Sequence, residues 1–309
     1  MDSELATSAL APLGLGDIAG VTELAGGTSR VYRVDLAKGG AVTLKIYADT
    51  SPTVPARDAF AARQLETIDA PVTRFLLVDD SKGRVPFRFA VTNYLPGVTV
   101  ESLRHHPDVT SLYRQTGALL RGLHTVPMPA YGSFDANGIA APLPSNAVYM
   151  HGLVEHAFSQ FVAHGADNTL AHRLRHIVEV GTDRVVPHSR GAVFAHDDLH
   201  PNNLLAIEGT DGKLTLSGLI DFGNARAADP ISDLAKCLFC SEHSAPGCTP
   251  YILDGYGPLD HPDPPAALAY YTLIHRVVMW WWLRHIGVIP APGAPSDIMD
   301  RLRETADGG

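Results

Sequence analysis

Two short segments constrain the fold of this chain more than any other part of it. Residues 196–205 have the sequence His-Asp-Asp-Leu-His-Pro-Asn-Asn-Leu-Leu, and residues 220–223 are Ile-Asp-Phe-Gly. Two apolar runs separated by a turn at 209–212 lie between these segments and predict a β-hairpin. A hairpin brings the outer ends of its strands together, so Asn203 and Asp221 should meet at one polar site.

Three polar residues of these segments match the needs of phosphoryl transfer, in which a protein mainly positions the reactants and neutralises charge. Asp198 is the candidate catalytic base, which would orient or deprotonate an accepting hydroxyl. The amide oxygen of Asn203 and the carboxylate of Asp221 are hard donors of the kind that Mg²⁺ prefers. The alternative for Asp198 is a turn or helix-capping role, which is a common use of aspartate.

The loop alone permits two registers, because Asp197 and Asn202 have the same spacing as the pair chosen above. Asp198 is preferred because it lies two residues after His196, as in the catalytic loop of kinases. His196 and His200 are interpreted as structural residues. A histidine that opens such a loop typically forms a hydrogen bond with the backbone.

The segment after the hairpin predicts a helix with a polar start. Asp229 and Asp233 are interpreted as N-cap residues, with Pro230 in the first turn. Four nominal zinc ligands follow, namely Cys237, Cys240, His243 and Cys248. A packed helix with free cysteines is the preferred interpretation, because the surrounding residues are apolar.

A glycine-rich turn and a lysine near the start of the chain complete the predicted site. Lys45 stands in an apolar strand predicted at 41–47, where its amine must reach solvent or a polar partner. We expect it to contact the α- and β-phosphates of a nucleotide; an edge-facing surface lysine is the alternative. The preceding turn could lay backbone N–H groups over phosphates, or be an ordinary hairpin turn. Its residues are Gly26, Gly27, Thr28 and Ser29.

A change of pattern near Pro96 divides the chain into two parts. Before it, alternating segments predict a small β-rich part with one helix. After it, helical periodicity dominates, as at 111–124 and 154–166. We therefore predict an α+β chain of two lobes, with residues 1–96 as the N-lobe and residues 97–309 as a larger, mainly helical C-lobe.

Composition limits the partners and the location of the protein. The formal net charge of −9 over 309 residues argues against a nucleic-acid partner and favours a cationic substrate. The start of the chain lacks the features of a secretion signal, and charged side chains interrupt the apolar segment at 267–290, which predicts a buried helix instead of a membrane span. Three cysteines are few for a secreted disulfide framework. We expect a cytoplasmic protein.

Together these residues resemble the aminoglycoside phosphotransferase family, which is related to choline and homoserine kinases. The resemblance extends from about Leu24 to Lys236, most of the chain. It implies a bilobal protein-kinase-like fold with ATP or GTP and Mg²⁺ in the cleft. It also implies contacts to adenine from the backbone of the linker, at Asn93 and Leu95.

Two positions depart from the pattern of that family. In the helix predicted at 57–68, counting back from Ala70-Pro71 places the carboxylate that would pair with Lys45 at Asp58, where the family usually has glutamate. The shorter side chain could fall short of the lysine. Asp197 replaces a frequent glycine next to the catalytic aspartate, and its negative charge would favour a cationic acceptor unless it points away from the site.

The residues and the resemblance together predict an ATP-dependent O-phosphotransferase that modifies a hydroxyl of a small, cationic molecule. The expected acceptor is an antibiotic of the aminoglycoside or cyclic-peptide type, whose modification would give resistance; a choline-, homoserine- or sugar-like metabolite is the alternative. A metal hydrolase that uses His196 and His200, and a non-catalytic nucleotide-binding protein, are further alternatives. Acceptor contacts should come from 131–190 and 240–290, in a monomer or homodimer with no nucleic-acid or membrane partner.

Overall fold

The computed structural model describes residues 2–24, 29–49 and 54–308. Three of the four residues of the predicted phosphate turn, Gly26, Gly27 and Thr28, therefore lie outside the described residues. Ser29 is described and directly precedes the second strand of the N-terminal sheet.

Within the described residues, five strands form an antiparallel sheet in the first third of the chain. The strands are β1 Ile18–Leu24, β2 Arg30–Leu36, β3 Ala41–Tyr47, β4 Phe75–Asp79 and β5 Arg88–Asn93, and their order in the sheet is β1-β2-β3-β5-β4. Alternation along β2 and β3 places Tyr32, Val34 and Leu44 in one small core. Helix α1 (Ser3–Leu10), capped by Asp2, covers this core.

Helix α2 (Val54–Arg63) connects β3 to β4 and packs against the sheet. It ends before the predicted boundary at 68, because residues 64–67 continue as turns. Ala61 and Ala62 bury one side of the helix against the larger core, and Asp58 is buried with them. This placement brings a carboxylate close to the inner surface of the sheet.

The rest of the chain is mainly helical. Its helices are α3 Val109–Leu123, α4 Asn146–Ala163, α5 Asn168–Val185, α6 Pro230–Ser244, α7 Thr249–Tyr256, α8 Pro264–His285 and α9 Asp297–Gly308. The helix predicted at 111–124 is confirmed within two residues as α3. The helix predicted at 154–166 starts earlier, at Asn146, because Ser145 caps it there by accepting from the N–H of Val148 at 3.3 Å.

Short strands between the helices carry the predicted loop and hairpin. One three-stranded sheet has the order β10-β9-β6, with β6 Val98–Thr99, β9 Leu204–Glu208 and β10 Leu214–Leu219. Another has the order β7-β11-β8, with β7 Gly132–Ser133, β8 Val193–Ala195 and β11 Arg226–Ala228. The predicted hairpin is confirmed as β9 and β10.

The linker between the two parts of the chain lies directly on this hairpin. Gly97 has a φ of +117°, and a Cβ on it would collide with the carbonyl oxygen of Ala206 in β9. The hydroxyl of Ser217 in β10 donates to the carbonyl of Pro96. Glycine is therefore required at the linker by both conformation and space.

Helix α8 corresponds to the apolar segment predicted at 267–290. It packs against α4, α5 and α6, with Trp280 fully buried and Trp282 at its surface. Among the residues that the structure describes, no helix is both long and apolar enough to cross a membrane.

Candidate active site

Asp233 fixes the start of the candidate catalytic loop. Its two carboxylate oxygens accept hydrogen bonds from the N–H of His196 and the N–H of Asp197, each at 2.8 Å. The prediction that Asp233 is a helix cap is therefore wrong. Asp229 is the N-cap of α6, as predicted, and accepts from the N–H of Ile231 at 2.8 Å. Asp233 lies one turn further on and faces the protein interior, where the loop begins.

A second set of contacts holds Asp233 in place. Nε2 of His124, at the end of α3, lies 3.1 Å from Asp233 Oδ2, and Nδ1 of the same ring lies 2.8 Å from the hydroxyl of Tyr256 on α7. Burial works to raise the pKa of Asp233, but the contact with His124 and the loop amides outweigh it and lower the pKa. An ionised Asp233 thus connects the surrounding helices to the loop.

Asp198 is held by two amide side chains. Nδ2 of Asn203 donates to the backbone carbonyl of Asp198 at 2.9 Å, and Nδ2 of Asn224 donates to Asp198 Oδ2 at 3.1 Å. Nε2 of His200 is 3.9 Å from Asp198 Oδ1, and the Asp198 side chain is 26% exposed. Asn224 was not among the predicted site residues, although its position directly after Ile-Asp-Phe-Gly was a signal. The carboxylate is therefore oriented by protein groups and open to a reactant.

The β9–β10 hairpin brings Asn203 next to Ile220, the residue before Asp221; that Asn203 and Asp221 share one metal ion stays a prediction. The strands pair in antiparallel register up to their open end, where the N–H of Ile220 donates to the carbonyl of Asn203 at 3.0 Å. Nε2 of His196 lies 3.3 Å from the carbonyl of Ile220, which confirms the predicted backbone contact of this histidine. Asp221 has a φ of +66°, in the left-handed region, at the point where the chain leaves β10.

Lys45 connects the N-terminal sheet to Asp221. Its Nζ is 3.2 Å from Asp221 Oδ1 and 3.3 Å from Asp58 Oδ2, and the hydroxyl of Tyr47 donates to Asp58 Oδ2 at 3.1 Å. Asp58 also lies close to the segment that follows Asp221. A Cβ on Gly223 would be 3.7 Å from Asp58 Oδ1. An aspartate therefore makes the ion pair that the resemblance implies for glutamate.

The charges of these three residues act on one another. Burial disfavours the charge of Lys45, but Asp221 and Asp58 raise its pKa above the ordinary value. Burial raises the pKa of Asp58 by more than Lys45 lowers it. Burial also acts to raise the pKa of Asp221, but Lys45 outweighs it and the pKa is lowered. At neutral pH the site therefore presents the charged amine of Lys45 and the ionised carboxylate of Asp221 side by side.

The carboxylate of Asp197 is paired and not free to meet an acceptor. Its Oδ2 lies 2.8 Å from Arg226 Nη2 and 3.2 Å from Lys236 Nζ. The negative charge expected at this position is thus balanced by two cations. It gives no support to a cationic acceptor.

The two linker residues lie where the N-terminal sheet meets the hairpin. The N–H of Asn93 donates to the carbonyl of Arg74 at 3.0 Å, and Asn93 Oδ1 accepts from the N–H of Arg74 at 2.7 Å. Leu95 lies over Gly218 of β10, where an added Cβ would be 3.1 Å from Leu95 Cβ. Asn93 is therefore held by hydrogen bonds to Arg74, and the side chain of Leu95 packs against β10.

The donor set suits Mg²⁺ together with a nucleotide triphosphate. Asp198 engages the amide nitrogen of Asn203, which leaves the amide oxygen for a cation, and Asp221 supplies a carboxylate. One or two protein oxygens are typical of Mg²⁺ that is bound with phosphates. In the described part of the chain, no group of three His, Cys, Asp or Glu side chains could hold a metal ion. That finding argues against both the zinc interpretation of 237–248 and the hydrolase interpretation of His196 and His200.

Comparisons with known proteins concern the family and the fold of the chain. A sequence profile of the phosphotransferase enzyme family matches residues 20–270. Among solved structures, aminoglycoside phosphotransferase APH(4)-Ia has a TM-score of 0.72 at 17% identity, and the match covers 98% of this chain and 99% of that chain. No curated protein matches the sequence.

Two further solved structures show the same fold over nearly the whole chain. For macrolide 2'-phosphotransferase MphH from Brachybacterium faecium, the TM-score is 0.64 at 18% identity, covering 99% of this chain and 96% of that chain. For a protein assigned as a fructosamine-3-kinase from Thermobifida fusca, the TM-score is 0.66 at 15% identity, covering 99% and 98%. The predicted bilobal kinase-like fold is therefore confirmed.

Proposed function

Because the chain belongs to the phosphotransferase enzyme family, whose reaction is phosphoryl transfer to a hydroxyl of a small molecule, we propose that it uses ATP and Mg²⁺ to phosphorylate a cationic acceptor. One observation carries the proposal. Lys45 pairs with Asp221, the N–H of the preceding Ile220 donates to the carbonyl of Asn203, and the side chain of Asn203 donates to Asp198. Phosphoryl transfer needs these groups side by side.

In the proposed reaction Asp198 receives the acceptor hydroxyl. Asn224 holds Oδ2 of the carboxylate, which leaves Oδ1 to accept the hydrogen bond of the hydroxyl and to direct its oxygen toward phosphorus. The proton passes to the carboxylate as the new P–O bond forms and the bond from the γ-phosphorus to the β–γ bridging oxygen breaks, so that ADP leaves with the bridging oxygen. Mg²⁺ held by Asn203 and Asp221 would supply charge neutralisation at the phosphates.

Lys45 would bind the α- and β-phosphates of the nucleotide and is held in place by Asp58. The backbone of Asn93 and Leu95 would contact the base of ATP or GTP. The phosphate turn would be Gly26, Gly27, Thr28 and Ser29. In this proposal residues 1–96 form the nucleotide-binding N-lobe, residues 97–309 form the C-lobe, and one chain supplies a complete site, so that a monomer or a homodimer would suffice.

The proposed acceptor is an antibiotic, modified in the cytoplasm where ATP is available, and its phosphorylation would give resistance. Support comes from the similar structure of APH(4)-Ia, which has been solved with ADP and hygromycin B. The net charge of −9 supports a cationic acceptor. A metabolite is the second candidate, because the fructosamine-3-kinase structure is about as similar. Acceptor contacts are proposed for 131–190 and 240–290.

A screen for ADP release tests the proposal. Aminoglycosides, cyclic-peptide antibiotics, macrolides, choline, homoserine and fructosamines should be offered with MgATP, and products analysed for the mass of one added phosphate. We expect one class to give a phosphorylated product. MgATP binding without ADP release across the whole panel would indicate a non-catalytic nucleotide-binding protein.

The variant Asp198→Ala tests the assigned base. We expect turnover to fall by about 100-fold or more while ATP binding is retained, because the carboxylate acts on the acceptor and not on the nucleotide. Asp211→Ala, at an exposed position in the β9–β10 turn, is the matched control. Full turnover by Asp198→Ala would remove this residue from the mechanism.

A further inference from the structure

Asp197 occupies a backbone conformation that residues with a Cβ seldom adopt. Its φ is +54°, in the left-handed region, directly before the proposed catalytic base. The residue is 7% exposed, and every polar group it carries is engaged. The N–H donates to Asp233, the carbonyl accepts from Lys236, and the carboxylate contacts Arg226 and Lys236.

The two cations come from different elements. Arg226 begins β11, five residues after Asp221, and Lys236 lies in the middle of α6. The single carboxylate of Asp197 therefore joins the loop that carries Asp198 to the segment that carries Asp221 and to α6. The guanidinium of Arg226 also lies 3.4 Å from the hydroxyl of Tyr149 on α4.

These three side chains carry one negative and two positive charges in a mostly buried place. Burial disfavours the charge of Lys236, but Asp197 and Asp198 outweigh it and raise its pKa. Both cations therefore stay charged at neutral pH. Without the Asp197 carboxylate they would face each other with no anion between them, and a buried charge without a partner is costly.

We propose that Asp197, Arg226 and Lys236 form a positioning cluster that sets the orientation of Asp198 relative to the Asp221 segment. In this cluster Asp197 is held in a left-handed conformation, which favours glycine, by ion pairs with Arg226 and Lys236. Its carboxylate does not contact the acceptor. This inference rests on the proposed function, because positioning matters only if Asp198 acts on a hydroxyl.

A cycle of Asp197→Asn, Arg226→Gln and the double variant tests the cluster. Each single variant should lower kcat at least 10-fold and leave the KM for ATP within about twofold, because Lys45 and the linker are untouched. The double variant should lose no more kcat than the more impaired of the two single variants, because the residues act as a unit. Asp211→Asn is the matched control, since Asp211 forms an exposed ion pair with Lys213 in the β9–β10 turn.

Hydrogen exchange of residues 196–203 gives a readout that needs no turnover. Asp197→Asn should raise exchange in this loop at least fivefold. In Asp211→Asn, loop exchange should match the wild type. The inference is overturned if loop exchange and kcat both stay within twofold of the wild type while the variants merely melt at a lower temperature. If the wild type neither binds ATP nor consumes it, the proposed function is overturned instead. The exchange measurement would still show whether the cluster holds the loop in place.

Discussion

Asn203 and Asn224 both hold Asp198, but Asn224 is exposed and takes no part in the proposed metal site. We expect Asn224→Ala to lower kcat about 10- to 100-fold, because Asp198 Oδ2 loses its donor and the carboxylate can rotate away from the acceptor. The KM for ATP should stay within about twofold. Steady-state kinetics with the acceptor identified by ADP release would measure both.

Asp211→Ala is a suitable control for this variant, because Asp211 is an exposed polar residue in the β9–β10 turn. It should behave like the wild type. An Asn224→Ala enzyme with unchanged kcat would mean that Asn203 alone orients the carboxylate.

Single residues differ in how far the sequence reveals them. The positions of Asp198 in its loop and of Asp221 at the end of the hairpin could be predicted from local sequence spacing, while their roles stay predictions. Asp233 was misinterpreted, because a capping aspartate and one that accepts from a distant loop look alike in sequence. The sequence also showed no sign that Arg226 neutralises the charge of Asp197, since only the fold brings the two side chains together.

Among elements, those with a clear period could be predicted. Strands β2 and β3 alternate between buried and half-exposed side chains, and the runs of β9 and β10 are divided by a glycine turn. Helix α4 was placed too late because its first turns are recognised by their cap and by packing against α8, not by a polar face. The short helix α1 could not be predicted from the sequence, since its stability depends on the sheet that it covers.

The contact between α6 and α8 contains a buried histidine that should make stability depend on pH. His275 is hydrogen-bonded through Nε2 to the carbonyl of Ser232 at 2.9 Å. Burial lowers its pKa from 6.5 to about 4. The unfolded chain therefore binds a proton that the folded chain excludes, so the free energy of unfolding should fall by about 3 kcal/mol as pH falls from 6.5 to 4.

Urea unfolding at pH 7, 6, 5 and 4 measures this dependence. His275→Gln should be less stable at pH 7 and should lose less stability than the wild type between pH 6.5 and 4. His285→Gln, at the exposed end of the same helix, is the control and should retain the wild-type slope. Parallel pH profiles for all three proteins would show that His275 does not carry the effect.

At the scale of the whole molecule, the site exists only where the two parts of the chain meet. Lys45 and Asp221 are separated by 176 positions, yet their side chains are 3.2 Å apart. Sequence patterns predicted each part but gave no distance between them, because packing of the linker on β9 and β10 sets their relation. Gly97 and Gly218 allow that approach, since a Cβ at Gly97 would collide with the carbonyl oxygen of Ala206 and one at Gly218 would lie only 3.1 Å from Leu95 and Leu205.

A ligand that binds across this junction should stabilise the whole molecule through Lys45. MgATP at 100 times its Kd should add about 2.7 kcal/mol to the free energy of unfolding, which a thermal melt reports as a higher Tm. Lys45→Met should lose most of this increase, because the phosphates then meet Asp58 and Asp221 without a balancing cation. Lys213→Met, in the exposed hairpin turn, removes the same charge and should retain it. Equal gains in Tm for both variants would show that nucleotide binds elsewhere, and the assignment of the cleft as the nucleotide site would be wrong.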